Sequence, residues 1–245
     1  MAQPNTPMPA STVVLARPRD DGTFEIFMNR RPEKMGTYAG VYVFPGGRME
    51  STDWSSSMLS LVRGVTPADA QQKLASAAGP EVCLGYWVAA VRELFEEVGI
   101  HFFVPQQSES VTVEASDLLT RLAHKRPELQ QGKYDLPTLM AAERLYCDVG
   151  RLNYFFHRIT PEHYPVRFDT RFYLAALPRG QSPLHSSEEV SESLWLSPKA
   201  ALDRGQAGSF PMMPPTIAVL QTLSEYDSWT SLCKAFQLDS PLDHR

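Results

Sequence analysis

Glu93, Glu96 and Glu97 stand close together in "RELFEEVGI", residues 92–100 of this 245-residue chain, with Arg92 directly in front. Carboxylates at i, i+3 and i+4 bring hard oxygen donors to one side of a helix. Such a set suits Mg²⁺ or Mn²⁺, which keep several waters and bind phosphate oxygens. An acidic helix face is more often simply solvated. Two features oppose that reading here. The carboxylates fall near a helix C-terminus, where the dipole disfavours negative charge. Arg92, four residues before Glu96 and able to orient it, is the one nearby cation the sequence puts on that face.

The element that must carry these residues is a helix from about 81 to 98, opened by Pro80 and closed by Gly99 in a left-handed cap. At about 100° per residue, Leu84, Trp87, Val91, Leu94, Phe95 and Val98 gather opposite the glutamates. Upstream, "STVVLARP" and "FEIFMNRR" flank the turn "RDDGT", and "GVYVFPGG" is a third β-rich run stopped by Pro45, Gly46 and Gly47. Thr66-Pro67 caps a helix expected to end at Gly79. Downstream, "SDLLTRLAHKR" and "PTLMAAERLYC" read as helices, and "RLNYFFHRIT", "RFDTRFYLAAL" and "LWL" as strands. Ser197-Pro198 opens a helix to about Asp203, and "PPTIAVLQTLSEY" and "DSWTSLCKAF" read as terminal helices. Strands on both sides of a central helix, with more helices after, predict a layered mixed α/β domain.

Composition narrows the function classes. A net charge of −5 gives no broad basic surface for nucleic acid. Cys83, Cys147 and Cys233 match no zinc spacing and read as buried reduced thiols, which suits the cytoplasm. No apolar run reaches membrane-spanning length, the polar, Pro-rich start lacks a signal core, and the final "DHR" is not a peroxisomal address.

"RELFEEVGI" resembles the second half of the Nudix box, with every specified position met. Its five fixed letters would coincide by chance in roughly one window in a million. The first half of the box, a Gly followed six positions later by Glu, has its counterpart in Gly47 and Asp53, an acidic departure one methylene shorter. Seven residues normally separate the halves. Here Trp54 to Val91 intervene, 38 residues, so an insertion of about 31 splits the box. The insertion, about 54–80, carries its own capped helix and is expected to bulge from the surface. "FPGG", 44–47, matches the strand end that precedes the box in this family.

The resemblance implies a Nudix-type α/β/α sandwich with a mixed sheet, the helical insertion and C-terminal helices. It would occupy residues 11–205, after a loose tail of 1–10, with 206–245 as helices packed on the domain or at a homodimer contact. It implies divalent-metal-dependent hydrolysis of a diphosphate in a small-molecule nucleotide substrate. Glu93, Glu96, Glu97 and the Gly47 carbonyl would hold Mg²⁺ or Mn²⁺, with Glu93 a further ligand or base and Arg92 orienting the carboxylates. Catalysis would rest on Glu93, Arg92 and Glu97.

Arg31, followed nine positions later by Gly40 and then by FPGG, resembles the coenzyme A diphosphatase branch, although Gly36 stands where one version of that pattern has a second Arg. The split box closed by Asp resembles an animal peroxisomal subgroup that cleaves acyl-CoA. Arg31, Gly46 and Arg167 are the expected substrate contacts, with Arg30 behind them. Among the late-loop glutamates Glu188, Glu189 and Glu192, the last two are candidates to assist the attacking water. An ADP-ribose or NADH diphosphatase, or a non-catalytic nucleotide-binding module, stay as alternatives. The intact Arg92, Glu93, Glu96 and Glu97 argue against the module.

Overall fold

A computed structural model describes residues 6–34, 39–106, 115–184 and 191–238. The strands are β1 (Met8–Pro18), β2 (Phe24–Arg30), β3 (Tyr42–Val43), β4 (Gly46–Arg48), β5 (Val62–Arg63), β6 (Phe103–Pro105), β7 (Leu145–Asp148), β8 (Asn153–Ile159), β9 (Phe168–Ala176) and β10 (Glu192–Leu196). The helices are α1 (Ser56–Leu59), α2 (Pro67–Leu74), α3 (Pro80–Val98), α4 (Ala115–Gln130), α5 (Leu136–Ala142), α6 (Pro198–Gln206), α7 (Pro214–Leu223) and α8 (Trp229–Phe236). A 3₁₀ turn at Ser51–Trp54 follows β4.

The main sheet runs β10-β2-β1-β9-β8, with β3 beside β2 and β4 beside β1. β1 pairs parallel to β9 and antiparallel to β2 and β4, so the sheet is mixed. Alternation along β1 divides the core, as period-2 geometry demands. Val13 and Leu15 face α3, while Val14 and Ala16 face the layer that includes α7 and α8. Val219, Leu220, Leu223, Trp229 and Leu232 bury α7 and α8 against that second face. The result is the α/β/α sandwich.

Several local expectations shift. β1 starts at Met8, inside the stretch read as a loose tail. Thr66 caps α2 with a full capping box, but the helix stops at left-handed Ala75. Gly79 instead stands at the N-cap of α3. "PTLMAAERLYC" is not one helix: α5 ends at Ala142, Arg144 takes a positive φ of 53°, and Leu145–Asp148 turns into β7. β7 joins β5 and β6 in a second, three-stranded sheet.

The insertion does not bulge free. Met58, Val62, Ala70 and Leu74 enter the core around α3, and β5 pairs with β7. α3 is accordingly buried on most sides from Cys83 to Arg92, and is not amphipathic along its whole length. Cys83 and Cys147 are buried and free, whereas Cys233 is only half-buried. Among the described residues no helix is long and apolar enough to cross a membrane.

Candidate active site

Arg92 is the centre of the site. Its side chain is 5% exposed, and all five of its N–H donors find an acceptor. Nε and Nη2 donate to the two oxygens of Asp53 at 2.9 and 3.0 Å, a bidentate pair across 39 positions of sequence. Nη2 also donates to the Arg48 carbonyl at 2.8 Å, and Nη1 to Glu93 at 3.0 Å and Glu96 at 3.2 Å. The two halves of the motif are thus reunited through one guanidinium. Asp53 reaches it despite being a methylene shorter than glutamate, because the 3₁₀ turn presents the carboxylate. The same Asp53 closes a capping box by accepting from the Glu50 backbone at 2.8 Å. Burial by itself would lower the Arg92 pKa, but Asp53, Glu93 and Glu96 raise it, so the guanidinium stays charged.

β4 brings the glycines under α3. The Gly46 N–H donates to Glu97 at 3.1 Å. A Cβ on Gly46 would stand 2.3 Å from the Ser11 carbonyl, and one on Gly47 would stand 2.5 Å from the Glu93 carboxyl. These glycines therefore exist for close approach, and a side chain at 47 would occupy the space that holds Glu93. Burial raises the Glu93 pKa against the pull of Arg92, and burial pushes Glu96 up to about 7. Glu50, a residue not singled out from sequence, adds its negative charge to both. Its position between Gly47 and Asp53 was the available signal.

The sequence expectation of a single nearby cation is corrected by α4. Arg126 Nη1 donates to the Glu96 carbonyl at 2.5 Å, and Gln130 Nε2 donates to the same oxygen at 2.7 Å. These donors meet the negative end of α3 where the glutamates cluster.

Among the described residues, no three His, Cys, Asp or Glu side chains already form a metal-holding group. The reason is visible in the hydrogen bonds: Glu93 and Glu96 are held by Arg92, and Glu97 is turned to Gly46. The donor chemistry nonetheless fits a hard divalent cation. Three carboxylates crowd one helix end, a fourth stands close by, and Gly47, having no side chain, lets the Glu93 carboxyl lie directly against its backbone.

The other expected residues are not joined to this cluster. Arg31 follows β2, its backbone exchanges hydrogen bonds with Gly40 and Val41, and its buried Nε has no partner among the described residues. Arg30 ion-pairs with Glu33. Arg167 is buried at the β8–β9 connection, where Nε donates to the Thr160 carbonyl. Glu192 opens β10 and accepts from the Tyr42 hydroxyl at 2.8 Å. Glu188 and Glu189 lie outside the described residues.

Comparison with known proteins agrees with this geometry. The family model of the NUDT19 Nudix domain matches residues 6–223. The acyl-coenzyme A diphosphatase NUDT19 of Gallus gallus is 27% identical over 254 residues, covering 90% of this chain and 66% of that protein. Its Xenopus laevis counterpart is 26% identical over 232 residues, covering 83% of this chain and 60% of that protein. The chain therefore spans less than two thirds of the length of these relatives. The crystal structure of a Nudix hydrolase from Alicyclobacillus acidocaldarius superposes with a TM-score of 0.71 at 25% identity, covering 96% of this chain and 99% of that one. With a family match that runs from before β1 to the end of α7, and with both halves of the box meeting at Arg92, this chain belongs to the NUDT19 Nudix domain family.

Proposed function

We propose that the protein hydrolyses the diphosphate of coenzyme A or an acyl-CoA, giving 3′,5′-ADP and (acyl-)4′-phosphopantetheine. The observation that carries the reading is the Arg92 hub, which holds Asp53, Glu93 and Glu96 in one charge cluster against Gly46 and Gly47. The relatives named as acyl-CoA diphosphatases supply the substrate class.

Glu93, Glu96 and Glu97, with Glu50 and the Gly47 carbonyl nearby, would hold Mg²⁺ or Mn²⁺. The cation would supply Lewis acidity toward water and the phosphoryl oxygens. This chain's own residues do the rest. Arg92 fixes the directions of Glu93 and Glu96. Glu93, whose carboxyl lies against Gly47, would take the proton of the attacking water. The water oxygen forms a new P–O bond, and the bridging oxygen leaves with the second phosphate. Arg31, whose buried Nε has no partner among the described residues, is the first candidate for the 3′-phosphate, which a guanidinium matches in a bidentate way.

The test is a turnover screen of purified protein on CoA, acyl-CoAs, ADP-ribose and NADH with Mg²⁺ or Mn²⁺, products identified by mass. The expected result is a higher kcat/KM on CoA or an acyl-CoA than on ADP-ribose. A tenfold preference for ADP-ribose, about 1.4 kcal/mol of transition-state binding, would overturn the substrate assignment.

A further inference from the structure

Next to Glu96 a cavity of about 610 Å³ opens between α3, the 3₁₀ turn and the α4–α5 connection, with Glu50, Thr52, Gln130, Lys133 and Leu136 in its walls. A second cavity of about 370 Å³ lies between α1 and α5, walled by Ser57, Ser60, Leu61, Pro137 and Ala141. Asp135 and Thr138 line both, so the two form one groove. It starts at the carboxylate cluster and ends on the insertion. Both volumes are of the order that holds small-molecule parts, about 300–1,000 Å³.

The chemistry of the walls changes in order along the groove. Charged groups stand at the Glu96 end: Glu50, Arg92 and Lys133. Gln130 follows, its Nε2 committed to the Glu96 carbonyl and its amide oxygen the remaining acceptor, and then Thr138, whose hydroxyl donates to Asp135. The far end sets Leu61, Pro137 and Ala141 beside Ser57 and Ser60, with Asp135 and Thr138 at its junction with the near cavity. Tyr134 is the one aromatic side chain among the described lining residues, and its hydroxyl is committed to the Lys125 carbonyl at 2.6 Å. No pair of aromatic faces offers a slot for a base.

We infer that this groove takes the phosphopantetheine arm of the substrate, with any acyl chain lying against α1 of the insertion. The inference rests on the CoA reading above and assigns the insertion a part in substrate selection. The charged residues gather at the Glu96 end and Leu61, Pro137 and Ala141 at the other, the direction in which the arm runs from phosphate through its amides to an apolar tail. Leu136 lines the near cavity and Ala141 the far one. Five helical residues at about 1.5 Å each set those walls roughly 7.5 Å apart along α5, a span suited to an extended chain.

Thr138 on α5 and Ser60 just after α1 are exposed and stand on opposite walls. Thr138→Trp should lower kcat/KM on CoA by tenfold or more, chiefly through KM. Ser60→Trp should lower kcat/KM on long-chain acyl-CoA at least tenfold more than on CoA. Thermal melts report whether each variant folds, and if one does not, the other alone decides. Two folded variants with wild-type efficiency on CoA and on long-chain acyl-CoA would overturn the inference while leaving the CoA reading intact. A wild-type protein that cleaves ADP-ribose and no CoA species would instead overturn that reading, and this inference with it.

Discussion

At the scale of the residue, the buried Arg92–Asp53 pair determines whether the split motif works as one unit. Its side chains are 5% and 1% exposed, so removing one charge leaves the other in a poor solvent for it. Asp53→Asn is expected to destabilise the fold by about 3 kcal/mol, at the lower end for a broken buried pair because Glu93 and Glu96 still contact Arg92. Urea unfolding measures this, and an unchanged midpoint would show the pair to be dispensable. Glu97→Gln is a different case. The amide oxygen can keep the Gly46 N–H bond, so the fold should hold while activity falls by about 10²–10³. The variant should also lose most of any rise in melting temperature that Mg²⁺ or Mn²⁺ gives the wild type, since a ligand that binds only the folded state stabilises it. Full turnover in Glu97→Gln, or in EDTA, would remove the metal site from the proposal.

At the scale of the element, α3 ends in three glutamates and a left-handed Gly99 with φ 75°. That is an unfavourable terminus in isolation, because the charge and the dipole have the same sign there. α4 offsets it by directing Arg126 and Gln130 at the Glu96 carbonyl. Arg126→Ala should therefore cost about 1–2 kcal/mol, the range of a charge-assisted hydrogen bond at a helix C-terminus. Denaturant titration checks it. A variant within 0.5 kcal/mol of wild type, the ordinary scatter of surface changes, would mean that solvent serves this carbonyl equally well. Neither helix shows this coupling alone. "SDLLTRLAHKR" reads as a helix in the sequence, but nothing local assigns its Arg126 to a carbonyl 30 positions earlier.

At the scale of the whole molecule, the end of α3, β6, α4 and the segment around Gln181 converge on His101. Gln181 exchanges two hydrogen bonds with the His101 backbone. The ring stacks on Phe103, accepts from the Phe103 N–H through Nδ1, and leaves Nε2 buried without a partner among the described residues. Burial lowers its pKa from 6.5 to about 4, and Arg126 is the charged side chain among the described residues lining the cavity beside it. Between pH 4 and 6.5 the unfolded chain binds the proton that the folded chain refuses. Stability from this group is therefore complete above pH 6.5 and is lost as pH falls toward 4, by an amount of order 3 kcal/mol. His101→Asn keeps an acceptor for the Phe103 N–H but cannot titrate. Its unfolding free energy should show a shallower decline over that window than the wild type, even if it is lower throughout. Parallel pH profiles would contradict the buried neutral histidine.

Periodicity and punctuation were enough to give α3 its extent, because the apolar positions, Pro80 and Gly99 act within a turn of where they stand. The caps Thr66 and Ser197 were legible for the same reason, as were β8 and β9 from their aromatic runs. β7 was not, since four residues alternating in burial are too few to outweigh the helical run before them, and left-handed Arg144 carries no glycine to mark the break. Gly79 was assigned to the wrong helix because a glycine between two helical runs serves either end. The tertiary structure alone decided that Asp53 meets Arg92 across the insertion, that Glu50 joins the acidic cluster, that Arg126 caps α3, and that the insertion is core instead of ornament. Each is a contact between segments far apart in the chain. Such contacts depend on how layers pack, and no local rule of spacing, capping or propensity contains them.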